Sequence, residues 1–167
     1  MKFKIKVFAL FLVCTTQAFG MIPPQAHIKK CIDETERQFG LPKTLLRALI
    51  EQESSFNIKA INPVSESNAV TSYGLGQITL PTAKSFCGIR SRGELMSYRK
   101  NIKCTAKILR HHIMEYGSIH SALAAYRSGQ PCRYRRSREG DGTRLCTYSD
   151  NVYIHGVLRK SRLKSNT

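Results

Sequence analysis

The stretch RALIEQESSF, residues 47–56, carries two carboxyl side chains, Glu51 and Glu53, two positions apart in a segment of helical character. At about 100° per residue the two cannot share a helix face. Leu45, Leu46, Leu49, Ile50 and Phe56 gather in one sector, with Glu53 inside it and Glu51 pointing roughly the opposite way. Glu51 is therefore expected in solvent and Glu53 against the apolar side. There a carboxyl loses hydration, its charged form is disfavoured and its pKa rises. That is the state a general acid needs near neutral pH. A structural glutamate, hydrogen-bonded to backbone or held by an arginine, produces the same pattern, and periodicity alone slightly favours it.

The elements that must position these groups read as helices joined by short loops. Residues 26–39 place Ile28, Ile32 and Phe39 on one side and stop at Gly40, a natural C-terminal cap. Pro42 then opens a helix near its first turn, where a missing donor costs little, and that helix runs from Leu45 to Phe56. Asn62-Pro63 ends the segment beyond that helix, SESNAVTSYG forms a loop, and GLGQITLPTAKSF begins a helical segment at Pro81. Further helices are expected over Asn101–Tyr116, Ile119–Arg127 and Tyr148–Leu163. Repeats are absent and strand-like alternation is weak. The expected fold is mainly α, a single domain over residues 21–163 followed by a basic tail, 164–167.

Residues 1–20, MKFKIKVFALFLVCTTQAFG, read as a secretory signal: three lysines, an apolar run from Val7 to Cys14, then small residues at Ala18 and Gly20. The run is too short to span a bilayer, and no later stretch approaches the needed length. A soluble protein outside the cytoplasm, periplasmic or secreted, is expected. Without Lys2, Lys4 and Lys6 there are 24 basic residues against 11 acidic ones, a formal charge of +13. Such a field favours polyanions, which outside the membrane are wall polymers and lipid head groups. No nucleic-acid recognition motif is present, and the basic runs RYRRSR and RKSRLK read as solvated faces.

Five cysteines remain beyond the signal. Disulfides are the default in an exported chain, and the expected pairs are Cys87 with Cys104 and Cys132 with Cys146, each closing a loop, with Cys31 left over. No C-x-x-C pair occurs and no histidine stands at ligand spacing from a cysteine, so no metal or other cofactor is expected. The adjacent His111 and His112 are assigned to packing.

Five blocks, in order over about residues 32–158, resemble the lytic transglycosylase family, lysozyme-like enzymes that cut bacterial peptidoglycan. LLRALIEQESSFNIKAINP is similar to the helix whose Glu-Ser pair carries the catalytic acid. SYGLGQITLPTA resembles the Gly-Leu-Met-Gln-Ile block with its Pro-x-x-Ala helix start. NIKCTAKIL, ALAAYRSGQP and DNVYIHGVL resemble the Asn-initiated helix, the Ala-Ala-Tyr-Asn-Ala-Gly block and the closing Tyr-Val block. The resemblance implies a lysozyme-like transglycosylase domain, Glu53 as catalytic acid, and substrate contacts from Ser54, Gly74, Leu75, Gln77, Tyr126, Arg127 and Tyr153. Each has a plainer explanation: a helical serine, turn glycines, a capping glutamine, core aromatics.

The implied reaction needs one acid only. Glu53 protonates the oxygen joining N-acetylmuramic acid to N-acetylglucosamine, then takes a proton from the muramic C6 hydroxyl, which attacks the anomeric carbon and yields 1,6-anhydromuramic acid. A lysozyme would use a second carboxylate, for which Glu66 or Asp150 is the candidate. A non-catalytic wall-binding module is the third alternative. Peptidoglycan strands are the expected partner, with a cell-envelope secretion or conjugation assembly as a further one, and a monomer is expected. The chain departs from the family at Gly76, in place of Met, which would remove a side chain flooring the sugar site. It departs again at Arg127-Ser128, in place of Asn-Ala. An arginine there would answer an acidic partner, or the lactyl carboxylate or peptide of the substrate, or obstruct a neutral subsite. The Ser65–Ser72 loop looks longer than the family's shortest forms, and the Cys132–Cys146 segment looks inserted.

Overall fold

A computed structural model describes residues 25–63, 71–136 and 142–162. The expected signal over 1–20, most of the Ser65–Ser72 loop including Glu66, and the tail 164–167 lie outside the described residues.

The chain is mainly helical, as its periodicity requires. α1 (Gln25–Gln38) turns Ile28, Cys31 and Ile32 inward, and Gly40, at φ 59°, takes the left-handed turn after it. α2 (Leu45–Ser54) buries Leu45, Leu46, Ala48, Leu49 and Ile50. Its boundaries are tighter than expected. Pro42 stands before the helix and accepts a hydrogen bond from Leu45 N (3.1 Å). The true start is fixed from outside: Glu36 of α1 accepts from Thr44 N (2.7 Å) and Leu46 N (2.9 Å), satisfying N–H groups that the helix leaves orphaned. The far end stops at Ser54 because Ser55 and Phe56 are both left-handed, at φ 49° and 63°.

α3 (Leu80–Cys87) starts on Thr79, whose hydroxyl accepts from Thr82 N, with Pro81 in its first turn. The short α4 (Arg92–Leu95) was not expected. α5 (Tyr98–Tyr116) begins three residues ahead of Asn101, and α6 (Ile119–Ser128) and α7 (Tyr148–Ser161) follow the apolar spacing closely. Two small antiparallel sheets complete the described fold. One has β1 (Ile61–Asn62), β2 (Ser72–Tyr73) and β3 (Ile78–Thr79) in that order, with Ile61 opposite Tyr73 and Ser72 opposite Thr79. The other is the hairpin of β4 (Arg133–Arg136) and β5 (Gly142–Leu145). Two-residue strands carry no readable alternation, which is why the first sheet leaves no trace in the pattern.

The main core lies where α2, α5, α6 and α7 meet, filled by Leu45, Leu46, Leu49, Ile50, Ile102, Leu109, Leu123, Ile154 and Val157, all fully enclosed. A smaller cluster of Ile78, Ala83, Ile89, Leu95 and Ile108 joins the first sheet to α3 and α5. Both expected disulfides are present. Cys87–Cys104 ties α3 to α5, Cys132–Cys146 closes the β4–β5 hairpin, and Cys31 is buried and free. Among the described residues no helix is long and apolar enough to cross a membrane.

Candidate active site

Glu53 sits in the last turn of α2, just before the two left-handed residues that end the helix abruptly. α7 packs along α2 and brings up Tyr153, itself only 4% exposed, whose hydroxyl donates to Glu53 Oε1. Burial raises the pKa of the Glu53 carboxyl, against the opposing pull of the Tyr153 hydrogen bond and the nearby Arg127 cation. Burial together with the Glu53 charge holds Tyr153 and Tyr126 well above the ordinary phenol range, so both remain protonated donors.

α6 supplies the next two groups. Arg127 lies over the Tyr153 ring, its guanidinium carbon 5.1 Å from the ring centre. Its Nε is 3.7 Å from Asp150 Oδ1. Asp150 is anchored in turn, since its Oδ2 accepts from the Thr147 hydroxyl (2.6 Å) and its N–H donates to Thr147 Oγ1 (3.1 Å) at the start of α7. Tyr126 donates to the carbonyl of Gly76 at 2.6 Å.

The Gly74–Gln77 turn is fastened from below by Asn101, a fully buried residue. Its Oδ1 accepts from Gly76 N (2.8 Å), and its Nδ2 donates to Tyr73 O and Leu95 O, both at 3.0 Å. Both glycines are required by close approach. At Gly74, with φ 72°, a Cβ would stand 2.5 Å from Asn101 Nδ2; at Gly76 it would stand 1.9 Å from Thr105 Oγ1. Gly76 therefore leaves no gap in a sugar floor, contrary to expectation, because Thr105 and the Tyr126 hydroxyl already occupy that space.

Several expected site residues have other tasks. The Leu75 side chain is fully enclosed in the core and presents nothing to a ligand. The Gln77 amide is spent within its own turn, accepting from the Ser72 hydroxyl (2.7 Å) and donating to Gly74 O (2.8 Å). The Ser54 hydroxyl turns back to Ile50 O (3.2 Å), so Tyr153 holds the acid instead. Glu51 is half-buried rather than free in solvent, 3.7 Å from Lys160 of α7. What the structure brings together is Glu53, Tyr153 and Arg127, with Tyr126 close enough to feel the Glu53 charge.

Asn101, Thr105 and Glu36 escaped the sequence reasoning. The available signal was a polar side chain on an otherwise apolar helical face, as with Glu36 beside Ile28 and Ile32. Among the described residues no group of three or more His, Cys, Asp or Glu side chains is placed to hold a metal ion.

Residues 30–144 match the model of the transglycosylase SLT domain. The chain belongs to the SLT family. It is similar to protein IpgF of Shigella flexneri, 26% identical over 138 residues that cover 81% of this chain and 85% of IpgF, and equally to IpgF of Shigella sonnei. Its fold resembles an inactive Glu-to-Gln mutant of the lytic transglycosylase Slt of Pseudomonas aeruginosa (TM-score 0.60, 21% identity, 83% of this chain). It also resembles the 70 kDa soluble lytic transglycosylase of Escherichia coli (TM-score 0.51, 21% identity, 80% of this chain). The chain spans 24% of the Pseudomonas enzyme and 18% of the E. coli one. The SLT match takes in Glu53, the Gly74–Gln77 turn, Tyr126 and Arg127, and ends before Asp150 and Tyr153. Tyr153, which donates to the Glu53 carboxyl, thus comes from beyond the matched stretch, carried in by α7.

Proposed function

We propose that this protein is a peptidoglycan lytic transglycosylase in which Glu53 acts first as acid and then as base. The observation that carries it is the Glu53 carboxyl itself: desolvated, with its pKa raised, and held by one phenol donor. Membership of the SLT family supports the substrate class.

Protonated Glu53 gives its proton to the bridging oxygen as the bond from the muramic anomeric carbon to that oxygen breaks, and N-acetylglucosamine leaves with a free 4-hydroxyl. The muramic C6 hydroxyl bonds to the anomeric carbon, and its proton passes to the Glu53 carboxylate, restoring the acid. The product ends in a 1,6-anhydro ring. An internal nucleophile removes the need for an activated water. Tyr153 occupies Oε1 in both steps, leaving Oε2 to carry the moving proton, and its hydrogen bond steadies the transient carboxylate.

Four of the other acids are committed elsewhere, which disfavours each of them as a hydrolytic partner. Asp150 is held by Thr147 and stands beside Arg127, Glu36 caps α2, Asp33 pairs with Arg47 and Glu51 with Lys160. A peptidoglycan substrate implies a location outside the cytoplasm. The test is mass spectrometry of sugars released from purified peptidoglycan. Anhydromuramyl ends are expected; reducing ends would overturn the lone-acid mechanism, and no release would overturn the activity.

A further inference from the structure

We infer that Arg127 is the specificity determinant of the site, binding a carboxylate that the substrate carries on its muramic acid side. The inference rests on the proposed reaction at Glu53. Three observations carry it. Arg127 is fixed rather than free, lying on the Tyr153 ring and drawn towards the anchored Asp150. It is nevertheless open, its side chain 42% exposed. Its contact with Asp150, at 3.7 Å through Nε, falls outside hydrogen-bond range, and its two terminal NH2 groups have no hydrogen-bond partner among the described residues.

A guanidinium laid on an aromatic ring, with its forked end unsatisfied, is suited to a carboxylate, which it can grip through two parallel hydrogen bonds. Position supplies the rest. The Tyr153 ring beneath Arg127 is the ring whose hydroxyl holds Glu53, so the cation stands one aromatic ring from the acid. The lactyl ether leaves the same muramic ring whose anomeric carbon is attacked, and its carboxyl lies one sugar ring from the scissile bond. That carboxyl is free on strands stripped of peptide; on intact strands the stem peptide attached there brings its own carboxylates. Asp150 does not fill this role, because Thr147 already holds its Oδ2 and its Oδ1 stands 3.7 Å from Arg127 Nε.

The test compares wild type and Arg127→Gln on soluble glycan strands of two kinds, peptide-bearing and peptide-stripped, each with its carboxylates either intact or converted to amides. Amidation is expected to raise the wild-type KM about tenfold with little change in kcat, the worth of one charge-assisted contact. Arg127→Gln should show the high KM on both forms and so lose the discrimination, and Arg127→Lys should recover part of it. An effect seen on stripped strands identifies the lactyl carboxylate; one confined to peptide-bearing strands identifies the stem. A wild type indifferent to amidation, or an Arg127→Gln protein that still discriminates tenfold, overturns the inference. The same four strands are titrated for binding against Glu53→Gln and the Glu53→Gln/Arg127→Gln double variant. Absence of cleavage by wild type would then count against Glu53 alone, while the binding preference still decides Arg127.

Discussion

Glu36 and Glu53 stand on neighbouring helices, both on apolar faces, yet they meet opposite environments. Glu36 is the more buried, at 5% exposure, and both its oxygens accept backbone N–H groups at the positive end of α2. Glu53 lies at the other end of the same helix with one phenol donor, and burial raises its pKa. Burial therefore does not mark an acid for chemistry. What matters is whether donors meet its charge, and α2 separates the two outcomes at its two ends.

The strongest test of that contrast is Glu53→Gln. Cleavage should fall by at least about 10³-fold, the scale of a lost general acid, with an unchanged circular dichroism spectrum. Because the folded-state pKa is raised, ionised Glu53 costs stability as pH climbs above its ordinary value of 4.5. The variant should thus melt at a higher temperature than wild type near pH 8 and lose that advantage below pH 4.5. An active variant would remove the distinction between the two glutamates.

Glu36→Ala should do the reverse. Denaturant unfolding should show a loss of about 3 kcal/mol, since two backbone donors lose a charged acceptor, while kcat per folded molecule stays within about twofold. Tyr153→Phe sharpens the comparison by leaving Glu53 without its donor. A fall of about tenfold in kcat is expected from one lost hydrogen bond to a charged group. That bond lowers the Glu53 pKa, so its loss raises the value further, and the alkaline limb of the pH–rate profile should move to higher pH. The smallest effect belongs to Glu51→Gln, which breaks only a partly exposed pair with Lys160. Stability should change by less than about 1 kcal/mol and activity by less than about twofold.

Much of the fold was legible from spacing. The apolar stripe of α2 singled out Glu53, and α6 and α7 fell close to their expected bounds because each buries a regular face. The small sheets and α4 were not legible, being too short to show a period. The blocks SYGLGQ and ALAAYR were visible as motifs, but their division of labour was not. Leu75 went to the core, Gln77 to its own turn and Ser54 to its own helix, whereas Arg127 kept an open end.

The sequence by itself determined a mainly helical chain with Glu53 on the apolar face of its helix, since helical periodicity depends only on local spacing. Only the tertiary structure decided that Glu36 would be answered by α2, that Tyr153 would arrive 100 residues along the chain to hold Glu53, and that Arg127 would settle on its ring. Those outcomes depend on which helix ends and side chains meet in space, and the donors that set a carboxylate's energy are supplied by packing between elements far apart in the chain.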